Sequence, residues 1–131
     1  MGKDQVSALS GVEAAADVIA GLKGVITSFA GGIVASGSKI GCKNYRFPMS
    51  ASTNHSWCPT LKGRVRDSKV PEGIGSVYEI VMNGVDETHV KAAMKAGILA
   101  AAETGLVRYI GASNFEGKLG QHRFYLHDIL R

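Results

Sequence analysis

No apolar run in this 131-residue sequence approaches the roughly 20 residues that a membrane-spanning helix needs, so no helix is expected to cross a bilayer. Cysteine is scarce. Cys42 and Cys58 cannot build a disulfide framework, and two such residues fit a reduced, cytoplasmic setting. Only three prolines stand against 17 glycines, which excludes a proline-rich linker and points to turns and close backbone approaches. The first residues, MGKDQVSALSG, contain no hydrophobic segment of the kind an export signal carries. They also miss the myristoylation pattern, because Ser7 stands one place too late after Gly2. Neither charge sign dominates: the formal net charge is +4, and no aromatic platform interleaves with the basic residues, which argues against nucleic acid as a partner.

What is present is enough for one domain with a real core: 45% hydrophobic and 20% charged residues. The passage 52–81, STNHSWCPTLKGRVRDSKVPEGIGSVYEIV, organises the rest. It is a long irregular stretch ending in a strand, and its Trp57, Leu61 and Val65 argue for an ordered, functional loop. Its basic run, Lys62, Arg64 and Arg66 with Lys69, is either a solvated face or a device that steers an anionic ligand.

Periodicity predicts a helix over 7–22, capped by Ser7 or Ser10, with Leu9, Val12, Ala16, Ile19 and Leu22 on its buried stripe. A short strand follows at 25–29, then the glycine-rich GGIVASGSKIG. Gly32 and Gly37 have phosphate-loop spacing, but Ser38 stands where the lysine belongs and Lys39 follows one place late. A backbone nest for an anionic group is the alternative reading there. Alternation predicts strands at 43–50, 77–82, 106–110 and 121–127, and a second helix from Asp86 or Thr88 to about Thr104. The fold class expected is α+β: a mainly antiparallel sheet with two helices on one face, close to a ferredoxin-like sandwich. That arrangement opens with a strand before its first helix, and the first strand is missing from this reading.

Glu79 is the carboxylate set among apolar neighbours on the best strand, and a partly buried carboxylate suits acid–base work. A solvent-facing position on the sheet rim is the competing reading. Cys42, His55 and Cys58 lack the second ligand pair that a structural zinc site needs, so no metal is expected. Cys58 with His55 as its base is a possible nucleophile pair. His122 and His127 fall on opposite faces of the last predicted strand and cannot converge.

Two resemblances follow from particular residues. LVRYIGASNF, residues 106–115, resembles a strand-and-turn segment of aldo-keto reductases, whose NADPH-binding barrels typically need ~250 residues; it stands as the alternative. GVITSFAGGIVASGSKIG, SASTNHSWCPTLKGRVRDSKVPEGIGSVYEIVMNGVDE and GKLGQHRFYLHDIL arrive in the order of a second family. From Ser7 onward the sequence resembles the C-terminal, distal lobe of formylmethanofuran–tetrahydromethanopterin formyltransferases.

That resemblance implies a two-lobed, tetrameric enzyme of which this chain is one α+β domain over residues 1–131. It implies formyl transfer to N5 of tetrahydromethanopterin, with both carriers as substrates and no tightly bound cofactor. The glutamate of YEIV, Glu79, takes the family's acid–base role. Thr53 and Asn54 are candidate donors to the oxyanion, and Lys39, Lys62, Arg64 and Arg66 would steer the carriers' anionic groups. A non-catalytic assembly module of the same family is the other alternative.

Overall fold

The computed structural model describes residues 1–36, 55–112 and 121–131. Helix α1, Gln5–Ala20, starts one turn before the expected caps: Asp4 takes the cap, its carboxylate accepting from the Ser7 backbone N–H at 2.8 Å. Ser7 is therefore inside the helix, and buried. A carboxylate at a helix start gains from the exposed N–H groups and the dipole together, so Asp4 outcompetes the serines. Helix α2, Glu87–Glu103, follows the expectation and is capped by Asp86, which accepts from the His89 N–H at 2.9 Å.

The two helices pack on each other through small residues. The buried face of α1 is Ser7, Ala8, Gly11, Ala15, Ala16 and Ile19; that of α2 is Ala93, Gly97 and Ala101. Leu9 and Val12, expected at the centre of the α1 stripe, are only half-buried. Close helix approach selects small side chains at the contact and turns the bulkier ones to its flanks.

Strands β1 (Val25–Thr27) and β2 (Ile33–Ala35) pair antiparallel with β4 (Met82–Gly84) and β3 (Tyr78–Ile80), respectively. Val25 stands opposite Gly84, Thr27 opposite Met82, Ile33 opposite Ile80 and Ala35 opposite Tyr78. Residues 28–32 thus face Val81 alone, an enlarged bulge that divides the single strand expected at 77–82. The bulge closes through Gly31 and Gly32, at φ 69° and 75°, which side-chain-bearing residues rarely adopt.

The start of the chain lies between two segments. Gly2 bridges antiparallel to Ser76 on one side and to Val107 on the other. Its N–H donates to the Ser76 carbonyl at 3.0 Å, and Arg108 N–H donates to the Met1 carbonyl at 2.9 Å. The Met1 ammonium donates to the Tyr109 carbonyl at 3.0 Å, and burial holds it below the usual α-amino range. Met1 and Gly2 thus run between residues 76 and 107 through one bridge on each side, without forming a strand of their own. The strand expected at 106–110 is reduced to the same bridge at Val107.

The strand expected at 121–127 is corrected. Residues Leu126–Leu130 form a short helix, α3, that packs against α2 with Ile129 buried. Alternation over a few residues cannot separate the two periods once a single apolar anchor decides the packing. Before α3, His122 stacks on Phe124 at 6.2 Å and Lys91 sits 5.7 Å above the Phe124 ring. The expected strand at 43–50 lies outside the described residues. The whole is a small α+β fold of antiparallel pairs and helices, and no helix among the described residues is long and apolar enough to cross a membrane.

The caps make acid stability legible. The Ser7 N–H holds the Asp4 carboxyl, and the His89 N–H holds the Asp86 carboxyl, below the ordinary value of 3.8. A carboxyl depressed in the folded state stabilises above its unfolded value and loses that contribution as pH falls through its folded value. Urea midpoints should therefore drop as pH is lowered from about 4 downward. Asp4→Asn with Asp86→Asn, which still cap, should flatten that decline; an unchanged slope would contradict the assignment.

Candidate functional site

Glu79 is the middle residue of β3, directly opposite Val34 on β2. Alternation along a strand puts Val77 and Glu79 on one face, so the carboxylate shares its surface with a buried valine. Glu79 itself is half-buried. The next partner across the ladder is Ser36, whose N–H donates to the Val77 carbonyl at 2.9 Å. Its hydroxyl donates to Glu79 Oε1 at 2.7 Å, and Ser36 is 8% exposed. The carboxylate is thus neither the rim glutamate of the competing reading nor sealed in apolar surroundings.

The long loop packs against this same face. Val70, Ile74 and Val77 form a buried cluster, with Met1 and Trp57 packed on it. Two 3₁₀ turns, His55–Trp57 and Pro59–Leu61, shape the loop's first half. Lys69 N–H donates to the Ser56 carbonyl at 2.7 Å, so the second half folds back on the first. From His55 onward the loop is folded back on itself and packs on Val77, two residues before Glu79, as its apolar residues suggested.

Of the basic residues in the loop, Lys62 braces it: Nζ donates to the Pro71 carbonyl at 3.0 Å and pairs with Glu72 at 2.9 Å. Arg64, Arg66 and Lys69 are exposed. Lys39, Thr53 and Asn54, together with the Gly37–Lys39 part of the glycine-rich reading, lie outside the described residues. The Cys58–His55 nucleophile pair is corrected. His55 Nε2 lies 2.9 Å from Asp67, whereas the Cys58 thiol is 2% exposed and contacts the Thr60 hydroxyl at 3.1 Å. A sulfur packed into the interior cannot reach a substrate. His122 and His127 are not strand neighbours either, since His127 belongs to α3. Among the described residues no three of His, Cys, Asp or Glu are placed to hold a metal ion; Cys42 lies outside them. A hollow of about 260 Å³ lined by Gly24, Val25, Ile26, Asn83, Gly84 and Val85 belongs to the outer end of the β1–β4 ladder and contains no titratable side chain.

Ser36 is the residue that sequence reasoning missed. It sat within a glycine-rich run weighed as a phosphate loop or a nest, and nothing local ties it to a glutamate 43 positions away. Only the β2–β3 register brings them together.

The distribution of charge around the loop separates two roles. Replacing Lys62 by Met should speed proteolytic cleavage within 58–75, because the brace is gone. Replacing Arg64 and Arg66 by Gln should leave cleavage unchanged; faster cleavage in that variant would show that these residues also hold the loop.

A family model described as the proximal lobe of the formyltransferase FTR matches residues 1–129. The chain is 54% identical over 131 residues to the formylmethanofuran–tetrahydromethanopterin formyltransferase of Methanocaldococcus jannaschii, covering 98% of the chain and 43% of that protein. It is 50% identical over 128 residues to that of Methanosarcina mazei, with the same coverage. The solved enzyme of Methanosarcina barkeri superposes at a TM-score of 0.84 and 49% identity, over 98% of the chain and 43% of that structure. The formyltransferase/hydrolase complex of Methylorubrum extorquens, solved with methylofuran, superposes at 0.83 and 38% identity, over 100% of the chain and 42% of the matched one. The chain thus spans less than half the length of the curated relatives it matches. The match is to the proximal lobe, which corrects the distal assignment: order along a chain does not say which place a lobe takes in the folded whole. The match also runs through residues 106–115, so the aldo-keto-reductase alternative falls.

Proposed function

We propose that this chain, which belongs to the formylmethanofuran–tetrahydromethanopterin formyltransferase family through its proximal lobe, is a single α+β domain whose Glu79 carries protons in formyl transfer. N5 of tetrahydromethanopterin attacks the formyl carbon of formylmethanofuran. The new C–N bond forms as the carbonyl electron pair moves to oxygen. Glu79 takes the proton from N5 and delivers it to the methanofuran nitrogen, and that C–N bond then breaks to release the amine. Both carriers are substrates, and the reaction balances without metal or redox cofactor.

The observation that supports this reading is the placement of Glu79: on a strand face shared with buried Val77, its carboxylate held at 2.7 Å by Ser36, beside an ordered loop. Thr53 and Asn54 are the proposed donors to the oxyanion. Lys39, Arg64 and Arg66 steer the carriers' anionic groups, and Lys62 does so from a loop that it also braces. The sheet is read as ferredoxin-like. Supporting this is the antiparallel partner order Val107, Gly2, Ser76 and then β3 beside β2, with α1 and α2 packed together. The same reading includes a homo-oligomer, tetrameric as the resemblance implies, in a cytoplasmic setting.

The test joins this chain to the part of the M. jannaschii relative that it does not cover and follows formyl transfer between the two carriers. Turnover that collapses in Glu79→Gln supports the reading. A folded, completed protein without turnover overturns it in favour of an assembly module.

A further inference from the structure

We infer that Ser36 is the positioning residue for Glu79, its hydroxyl holding the plane of the carboxylate for proton exchange. The inference depends on Glu79 being the proton carrier. Burying a hydroxyl costs free energy unless it finds a partner, and alanine would fill a site of this size equally well. Ser36 is nonetheless 8% exposed, and its hydroxyl meets Glu79 Oε1 at 2.7 Å, within the short range of charge-assisted bonds.

The anchor is tied to the ladder by its backbone. Ser36 N–H donates to the Val77 carbonyl at 2.9 Å, directly after the β2 residues that pair with β3. The backbone bond fixes where Ser36 stands on the ladder, and its hydroxyl contributes to how the carboxyl group is turned. Glutamate has three side-chain torsions, and the oxygen that exchanges a proton must meet two nitrogens in succession. A carboxylate free to swing would spend little time aligned with either, and misplacement of about 1 Å can cost on the order of 10²-fold in rate.

The experiment measures kcat and KM in the completed protein for Ser36→Ala, Ser36→Thr, Glu79→Gln and the Ser36→Ala/Glu79→Gln double variant. Ser36→Ala should lower kcat about 10- to 100-fold with KM nearly constant, since the lost effect is one of alignment. Ser36→Thr, which keeps the hydroxyl, should restore most of kcat. In the Glu79→Gln background the alanine should cost nothing further, because there is no proton carrier left to align.

The two readings fail differently. Full activity in Glu79→Gln, or no turnover in the completed parent, removes the proton carrier and the positioning role with it. Loss in Glu79→Gln with parental kcat in Ser36→Ala overturns the positioning role alone. So does a loss in Ser36→Ala that threonine does not rescue. Should Ser36→Ala not fold, Ser36→Cys replaces it, a side chain of similar size and a weaker donor. It is expected to fall about tenfold in kcat below Ser36→Thr, and equal values for the two overturn the proposal.

Discussion

In the completed protein, Glu79→Gln should lower kcat by about 10²–10⁴-fold, the range over which a positioned acid–base group contributes. The substitution keeps length, shape and one carbonyl oxygen, so the bond from the Ser36 hydroxyl survives and the strand pairing opposite Val34 is undisturbed. What disappears is the capacity to accept a proton and return it. On the proposed mechanism the interaction is made as N5 loses its proton, so KM should change far less than kcat. Folding should be nearly untouched, and a thermal melt would check that.

A shorter carboxylate gives an independent reading. Glu79→Asp retains proton exchange but draws the group back by one methylene, away from both Ser36 and the substrate. Its kcat should fall between parent and Gln. If Gln retains parental turnover, the chemistry belongs elsewhere and Glu79 is a structural partner of Ser36. If Asp falls as far as Gln, placement matters as much as the proton itself, and the alignment argument gains weight.

The largest expected effect on stability is at the helix contact. Ile19→Ala should cost about 2–5 kcal/mol, as deletion of a buried branched side chain generally does. Ile19 is 2% exposed, and its Cδ1 would lie only 2.7 Å from a Cβ built on Gly97. Against a total of about 5–15 kcal/mol for a domain, that loss is large. The cavity left behind would face Gly97, where no side chain exists to collapse into it.

The same geometry makes the partner substitution informative. Gly97→Ala gains about 1 kcal/mol in helix propensity but pushes its methyl against Ile19. In the Ile19→Ala background that push is gone, so the double variant should recover part of the single loss. Urea denaturation of the four proteins gives the coupling directly. Strict additivity would mean that α1 and α2 do not meet at these residues in solution.

Much of the local structure was legible in the sequence. The helical spacing around Ile19, the end of the second helix near Thr104, and the strand character of residues 78–80 all follow from short-range preferences, which a chain expresses wherever it folds. The resemblance of the long loop to a formyltransferase lobe was legible as well, because its residues are unusual in kind and order. Glu79 was legible as a candidate because a lone carboxylate in an apolar strand stands out.

Only the tertiary structure decided what stands next to what. Ser36 and Glu79 meet through a register that a one-residue slip would destroy, and no local pattern encodes register. The bulge at Val81 depends on five residues facing one across two strands far apart in sequence. Leu126 to Leu130 became a helix because Ile129 is buried where α3 meets α2, although their neighbours alternate like a strand. Lys62 turned from a free cation into a brace when the loop brought Pro71 and Glu72 beside it. Preferences within a few residues are written into the chain; pairings across dozens of residues are settled by which surfaces can be buried together.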